Sequence, residues 1–372
     1  MRVFGSQELF EDVVSHDLCI GCGACVNLCP YYKSYKGKTA RIFPCDISKG
    51  RCYAYCPKAE VDLDELTKEI WNRPYDGSPL GNYRQILASR AGKKMQKGLF
   101  QAGGTVSALV TFALKNSMID GATLTGREEL TPVPHLVTDW QDAAKYASSK
   151  FMAAPTLAAV NGAVAKGYNR LGVVATPCQA TAVAQMRLNP LADKDFADPV
   201  ALTIGLFCNW SLGTRQLTEL ISQKLDIAGI AGMYIPPPPA GIMILETADG
   251  RVEIPLSEIK PLIPSTCFIC PDMTSEFSDV SVGMLEGRRG WNMLIIRSEK
   301  GADLVENADR KGYLETEELP QKTVAHLSRA AGEKKARALR ILIRRDLVNN
   351  GEGRRSAVRI PPQIVKKILN QS

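Results

Sequence analysis

Histidine is nearly absent from this 372-residue chain: His16, His135 and His326 are the only three. None stands in a recognisable catalytic arrangement, so acid–base catalysis by imidazole is expected to be secondary. Long apolar runs are missing as well. None reaches the roughly 18 residues that a membrane span needs. The segment Met1 to Phe10 also lacks the basic-then-apolar order of a signal peptide. A cytoplasmic protein with no membrane span is the expectation. No internal repeat is visible. The net charge is +7, but the basic residues are spread along the chain rather than gathered in one arm, which argues against nucleic acid as a partner.

What is plentiful is cysteine. Eleven in a cytosolic chain are not expected to form disulfides, because thiols stay reduced there, and their clustering points to metal or cluster ligation. The remaining composition, 45% hydrophobic and 23% charged, is ordinary for a folded protein, and the length suggests two domains.

The segment Cys19-Ile-Gly-Cys22-Gly-Ala-Cys25-Val-Asn-Leu-Cys29-Pro30 is the C-x2-C-x2-C-x3-C-P run of bacterial ferredoxins. Closely spaced cysteines wrap one cubane, while Gly21, Gly23 and Ala24 let backbone amides approach the sulfurs. A second run, Cys45-Asp-Ile-Ser-Lys-Gly-Arg-Cys52-Tyr-Ala-Tyr-Cys56-Pro57, repeats only the closing part of that signature. By the ferredoxin exchange rule, Cys19, Cys22, Cys25 and Cys56 bind one 4Fe-4S cluster, and Cys29, Cys45 and Cys52 offer three ligands to another. The fourth ligand is left open: a group such as Asp46, a residue of another chain, or none. A zinc knuckle is the bland alternative for this region, but its usual cysteine pairs are spaced differently.

Four cysteines remain, Cys178, Cys208, Cys267 and Cys270, enough for one further cluster. Taken singly, the first two also suit buried apolar thiols, and Cys267-Phe-Ile-Cys270 suits a redox pair or half a zinc site. Two or three 4Fe-4S clusters are therefore expected, and their thiolates would offset much of the positive charge.

Residues 1 to 75 hold seven of the cysteines and read as an iron–sulfur module closed by the Pro- and Gly-rich stretch Arg73 to Gly81. The larger domain alternates. Gln85 to Ala91 reads as a strand, Gly104 to Asn116 and Leu157 to Gly167 as helices, and Arg170 to Ala175 as a buried strand, the pattern of an α/β domain. Gly241 to Ile254 reads as a hairpin turning at Asp249-Gly250, after the rigid run Pro236 to Pro239. In residues 311–372, Glu333 to Asn349 reads as a basic helix, either a solvated surface or a docking face for a partner subunit.

Four separated blocks carry a resemblance: Gln101-Ala-Gly-Gly-Thr-Val-Ser-Ala-Leu109, Ser148-Ser-Lys-Phe151, Thr176-Pro-Cys-Gln179, and Cys267-Phe-Ile-Cys-Pro-Asp272 leading into Ser278 to Gly283. Over residues 83–310 the sequence resembles the family of beta subunits of coenzyme F420-reducing hydrogenase and F420-linked formate dehydrogenase. The resemblance implies a large flavin-binding α/β domain, with a small N-terminal ferredoxin-like iron–sulfur domain before it. It also implies FAD beside a cluster on Cys178, Cys208, Cys267 and Cys270, hydride exchange with coenzyme F420 or a similar acceptor, and partners that are other redox subunits of a larger complex. A non-enzymatic electron-transfer subunit of a hydrogenase, formate dehydrogenase or heterodisulfide-reductase-type complex is the alternative. Gly283 is followed by Met284 where the family usually continues Val-Gly-Asp, which loosens any transfer of acceptor specificity.

Flavin contacts are expected from Gly103, Gly104 and Thr105 before a helix, from Ser148, Ser149 and Lys150 as phosphate-binding groups, and from Thr176, Pro177 and Gln179 around Cys178. Each has a plainer reading: a turn, a polar surface loop and a helix cap.

Overall fold

The computed structural model describes residues 2–95, 100, 102–349, 351 and 353–370. Its centre is an eight-stranded sheet in the spatial order Leu314–Glu318, Gln85–Ala91, Asn292–Ile296, Val280–Met284, Val200–Leu206, Leu171–Ala175, Gly121–Glu128 and Thr131–Val137. The four strands from Val280–Met284 to Gly121–Glu128 run parallel to one another, and the outer pairings are antiparallel. The parallel strands are short apolar runs such as Leu-Gly-Val-Val-Ala, as expected for strands covered on both faces. Helix Thr105–Lys115 covers part of the sheet and is buried along almost its whole length, with Leu109 and Phe112 in the main core. The hairpin read around Asp249 is present, with Ile242–Thr247 paired to Gly250–Pro255 in a separate three-stranded sheet.

The N-terminal module has little regular structure beyond a hairpin, Tyr32–Tyr35 with Lys38–Arg41, and the helix Leu63–Trp71, which Asp62 caps by accepting from the amides of Asp64 and Glu65. The chain end closes over this module. Val358–Arg359 pairs in parallel with Val61–Asp62, and Arg359 meets Glu60 at 2.6 Å in a buried ion pair. The 24-residue helix Gln321–Arg344 packs Ala336, Leu339 and Leu342 into the same core as Leu18, Tyr32, Tyr53 and Leu66. Basic residues on this helix are not all solvated: Lys334 is 5% exposed and Lys335 1%. Among the described residues no helix is long and apolar enough to cross a membrane.

Candidate iron–sulfur and flavin site

Two of the large-domain cysteines sit where an open α/β sheet places its ligands, just outside the carboxyl ends of parallel strands. Cys178 follows Leu171–Ala175 at the start of helix Pro177–Arg187, and Cys208 follows the adjacent strand Val200–Leu206. Cys267 and Cys270 arrive on the short turn Ser265–Ile269 and its end. These four thiols lie close enough to repel one another. Cys178 is pushed up to about 11, first by burial and then by Cys270, and Cys208 is raised by burial with Cys178, Cys267 and Cys270 adding to it.

A second neighbourhood gathers Cys19, Cys22, Cys25 and Cys56. Burial raises Cys22 and Cys25 well above the usual thiol range, with Cys56 the next contributor to each, and Cys56 itself is pushed up to about 12. Amides of Gly21 and Thr39 donate to Cys19 Sγ, each at 3.4 Å. Gly21 has φ +67° and a Cβ there would strike the Gly37 carbonyl, so this close approach needs glycine. The third neighbourhood is Cys29, Cys45 and Cys52, with Cys52 pushed up to about 11 by burial before its two thiol neighbours. All eleven cysteines are free.

The first two neighbourhoods lie within electrostatic reach of each other: Cys178 adds to the upward push on Cys22, and the buried Lys58 lowers both Cys56 and Cys178. A cavity of about 50 Å³ at this junction is lined by Lys58, Cys178, Cys270 and Asp272. Among the described residues no three His, Cys, Asp or Glu side chains converge as one metal ion requires. Partly buried thiols gathered in fours are a donor set that is satisfied when deprotonated onto a cationic group. This donor chemistry fits iron–sulfur clusters.

The expected flavin contacts are distributed more widely. Gly103 lies against the sheet, where a Cβ would meet Asn292 Oδ1 and the Ser89 carbonyl, and Gly104 adopts φ +77°. Thr105 is fully buried, its hydroxyl 2.9 Å from Ser89 Oγ and its amide donating to Asn292 Oδ1. Gln101, from the same block, lies outside the described residues. Thr176 caps helix Pro177–Arg187, with Pro177 at the first turn, and its hydroxyl is 3.3 Å from Cys178 Sγ. Gln179 accepts from the Thr176 amide and donates to the Ala154 carbonyl and Thr156 Oγ1, which ties the 147–156 loop to that helix.

In that loop Lys150 donates to the Ala147 carbonyl and to Ser148 Oγ, and Ser149 stands between them. Burial, and then repulsion from Arg127, lowers Lys150 to about 8. Neither cation has an ion-pair partner among the described residues. Two neighbouring, half-buried cations without a carboxylate suit an anionic group such as a pyrophosphate. Arg127 carries no motif, and only the fold sets it beside Lys150.

Residues 12–32 match the 4Fe-4S binding domain, a stretch that includes Cys19, Cys22, Cys25 and Cys29. The chain is thus an iron–sulfur protein of the oxidoreductase class, built as a ferredoxin-type module on an α/β domain. Residues 86–161 match the N-terminal part, and residues 168–322 the C-terminal part, of the coenzyme F420 hydrogenase/dehydrogenase beta subunit. The chain belongs to that family. A subunit of the F(420)H(2) dehydrogenase of Methanosarcina mazei is 30% identical over 302 residues, 78% of this chain and 82% of the relative. The beta subunit of coenzyme F420 hydrogenase from Methanothermobacter thermautotrophicus is 28% identical over 65% of this chain and 87% of the relative. A chain of the F420-reducing NiFe hydrogenase complex from Methanosarcina barkeri superposes with a TM-score of 0.65 at 25% identity, covering 72% of this chain and 94% of that one.

Proposed function

We propose that the chain carries electrons between 4Fe-4S clusters and FAD and exchanges hydride with coenzyme F420, or a similar acceptor, as a cytoplasmic subunit of a multi-subunit complex. The observation that carries the reading is that the large-domain thiols Cys178 and Cys208 follow adjacent parallel strands, with the ferredoxin-type Cys22 within electrostatic reach of Cys178 and the buried Lys58 acting on both Cys56 and Cys178, a placement suited to passing electrons from module to domain. Bound FAD would supply the exchange between two-electron hydride chemistry and single electrons.

The chain's own residues would do the rest. Cys19, Cys22, Cys25 and Cys56 hold the ferredoxin-type cluster, and Cys178, Cys208, Cys267 and Cys270 hold the one nearer the flavin. Cys29, Cys45 and Cys52 hold a third with one non-cysteine ligand. Lys150 and Arg127 bind the pyrophosphate, Ser148 and Ser149 line its loop, Gly103 and Gly104 keep the loop before Thr105 flat against the sheet, and Thr176 orients the Cys178 sulfur. Near Cys45 the module exposes Tyr35, Ile42, Phe43 and Ile47, an apolar surface suited to another redox subunit.

The relatives' names join coenzyme F420 to hydrogenase, to dehydrogenase and, for a Methanocaldococcus jannaschii protein 28% identical over 83% of this chain and 49% of its own length, to sulfite reductase. Anaerobic protein reduced with a low-potential donor and offered F420, NAD or a quinone in parallel tests the acceptor. F420 reduction is expected, and reaction with NAD alone would rule out the deazaflavin.

A further inference from the structure

We propose that Lys334 raises the reduction potential of the cluster on Cys178, Cys208, Cys267 and Cys270, acting through its charge as a positioning residue. The inference rests on the cluster reading above and adds a determinant from outside the matched family region, which ends at residue 322. Helix Gln321–Arg344 delivers this side chain from the C-terminal part of the chain into the large-domain site.

Its Nζ donates to the Cys208 carbonyl at 2.6 Å and to the Asp272 carbonyl at 2.7 Å. Both acceptors are neutral peptide groups. Lys334 makes no ion pair among the described residues, and the Asp272 carboxylate is already engaged by the amides of Thr274, Ser275 and Glu276. The adjacent Lys335 is different, since Glu276 neutralises it at 2.7 Å. Burying an ammonium without a counter-ion in contact is costly, and the negative charges it faces are, in order, those of Cys270, Cys208, the Asp272 carboxylate and Cys178. Lys334 is the leading charged influence on Cys208 after burial itself. Cys56, in the ferredoxin-type set, instead feels Lys58.

Reduction adds one electron to an already anionic thiolate-bound cluster, with no bond made or broken. A fixed cation beside the ligands favours the more negative state, and net local charge is one of the terms that set cluster potential. Lys58 acts on both sets, whereas Lys334 acts on the large-domain set, so Lys334 biases the electron toward the flavin end.

The test is a mediated redox titration of anaerobic holoprotein, followed by low-temperature electron paramagnetic resonance. The large-domain signal is assigned as the one lost in Cys270→Ser. Lys334→Gln should move that signal to a more negative potential by roughly tenfold in the reduction equilibrium, about 59 mV for a one-electron couple, with the Cys22-dependent signal unmoved. Lys334→Arg should titrate with the wild type. Loss of the cluster in Lys334→Gln and Lys334→Met, but not in Lys334→Arg, would also support the charge as its counter-ion. An unmoved signal in Lys334→Gln, an equal shift in Lys334→Arg, or loss of the cluster in all three overturns the role of Lys334. Absence from the wild type of any signal that depends on Cys270 overturns the cluster reading itself.

Discussion

Lys335 Nζ lies 2.7 Å from Glu276 Oε1, with both side chains closed off from solvent, and this ion pair pins the C-terminal helix to the segment that follows Cys270. The same ammonium donates to the Tyr75 hydroxyl and the Ser78 carbonyl, in the Pro- and Gly-rich stretch between module and domain. Burial pushes Glu276 up to about 7 against the pull of Lys335. Removing one partner leaves an uncompensated charge, so Lys335→Met should cost about 3–5 kcal/mol. Lys335→Met combined with Glu276→Leu should recover most of that loss. Anaerobic denaturant unfolding of the three holoproteins measures this, and equal losses in the single and double variants would show that the pair is not coupled.

Leu339, fully buried on the same helix, packs among apolar residues of the N-terminal module. Leu339→Ala should destabilise the protein by about 2–5 kcal/mol. Because the helix covers the ferredoxin-type half, limited proteolysis should release the N-terminal module sooner in this variant. Unchanged cleavage would mean that the helix contributes little to holding the module.

Lys150 predicts a pH dependence with a defined sign. An ordinary lysine keeps its proton to about 10.5, but here burial and Arg127 lower it to about 8. Between those values Lys150 is neutral in the protein, so affinity for an anionic cofactor should fall as pH rises through 8. The depressed value also means that the charged form is held at a cost below pH 8, which a bound pyrophosphate would relieve. Lys150→Met should weaken FAD binding roughly tenfold or more at pH 7. Lys150→Arg should remove the step near pH 8. Fluorescence of FAD released at equilibrium measures both, and an affinity flat from pH 7 to 10 in the wild type would remove Lys150 from the site.

Iron and acid-labile sulfide separate the three thiol neighbourhoods. About twelve of each per chain is expected for three four-iron clusters. A value near eight would mean that Cys29, Cys45 and Cys52 do not hold a cubane. Cys270→Ser and Cys22→Ser should each abolish a different paramagnetic signal, and loss of the same signal in both would contradict the division of ligands between module and domain.

Much of the α/β frame was legible because its signals are local. Gln85–Ala91 is a short run with an apolar centre that stops at glycine, and the hairpin turn at Asp249-Gly250 needs no tertiary information. The cysteine runs were legible because cluster ligation imposes spacing. The burial of Lys334 and Lys335 was not, since a run rich in Lys and Arg looks the same whether it faces water or buried carboxylates and thiols. Arg127 stayed hidden for a related reason: its partner Lys150 is 23 residues away and is reached only through sheet pairing. Around Thr105 and Gln179 the sequence allows both cofactor contact and local capping, and the structure shows that both side chains already make internal hydrogen bonds.

The flavin is the centre of this account, and its quantity can be measured directly. Protein purified anaerobically and then denatured should release stoichiometric FAD, identified by chromatography, from a sample that also shows broad cluster absorbance. Intact cluster absorbance with no FAD released would contradict the account and leave the chain as an electron-transfer subunit without a flavin.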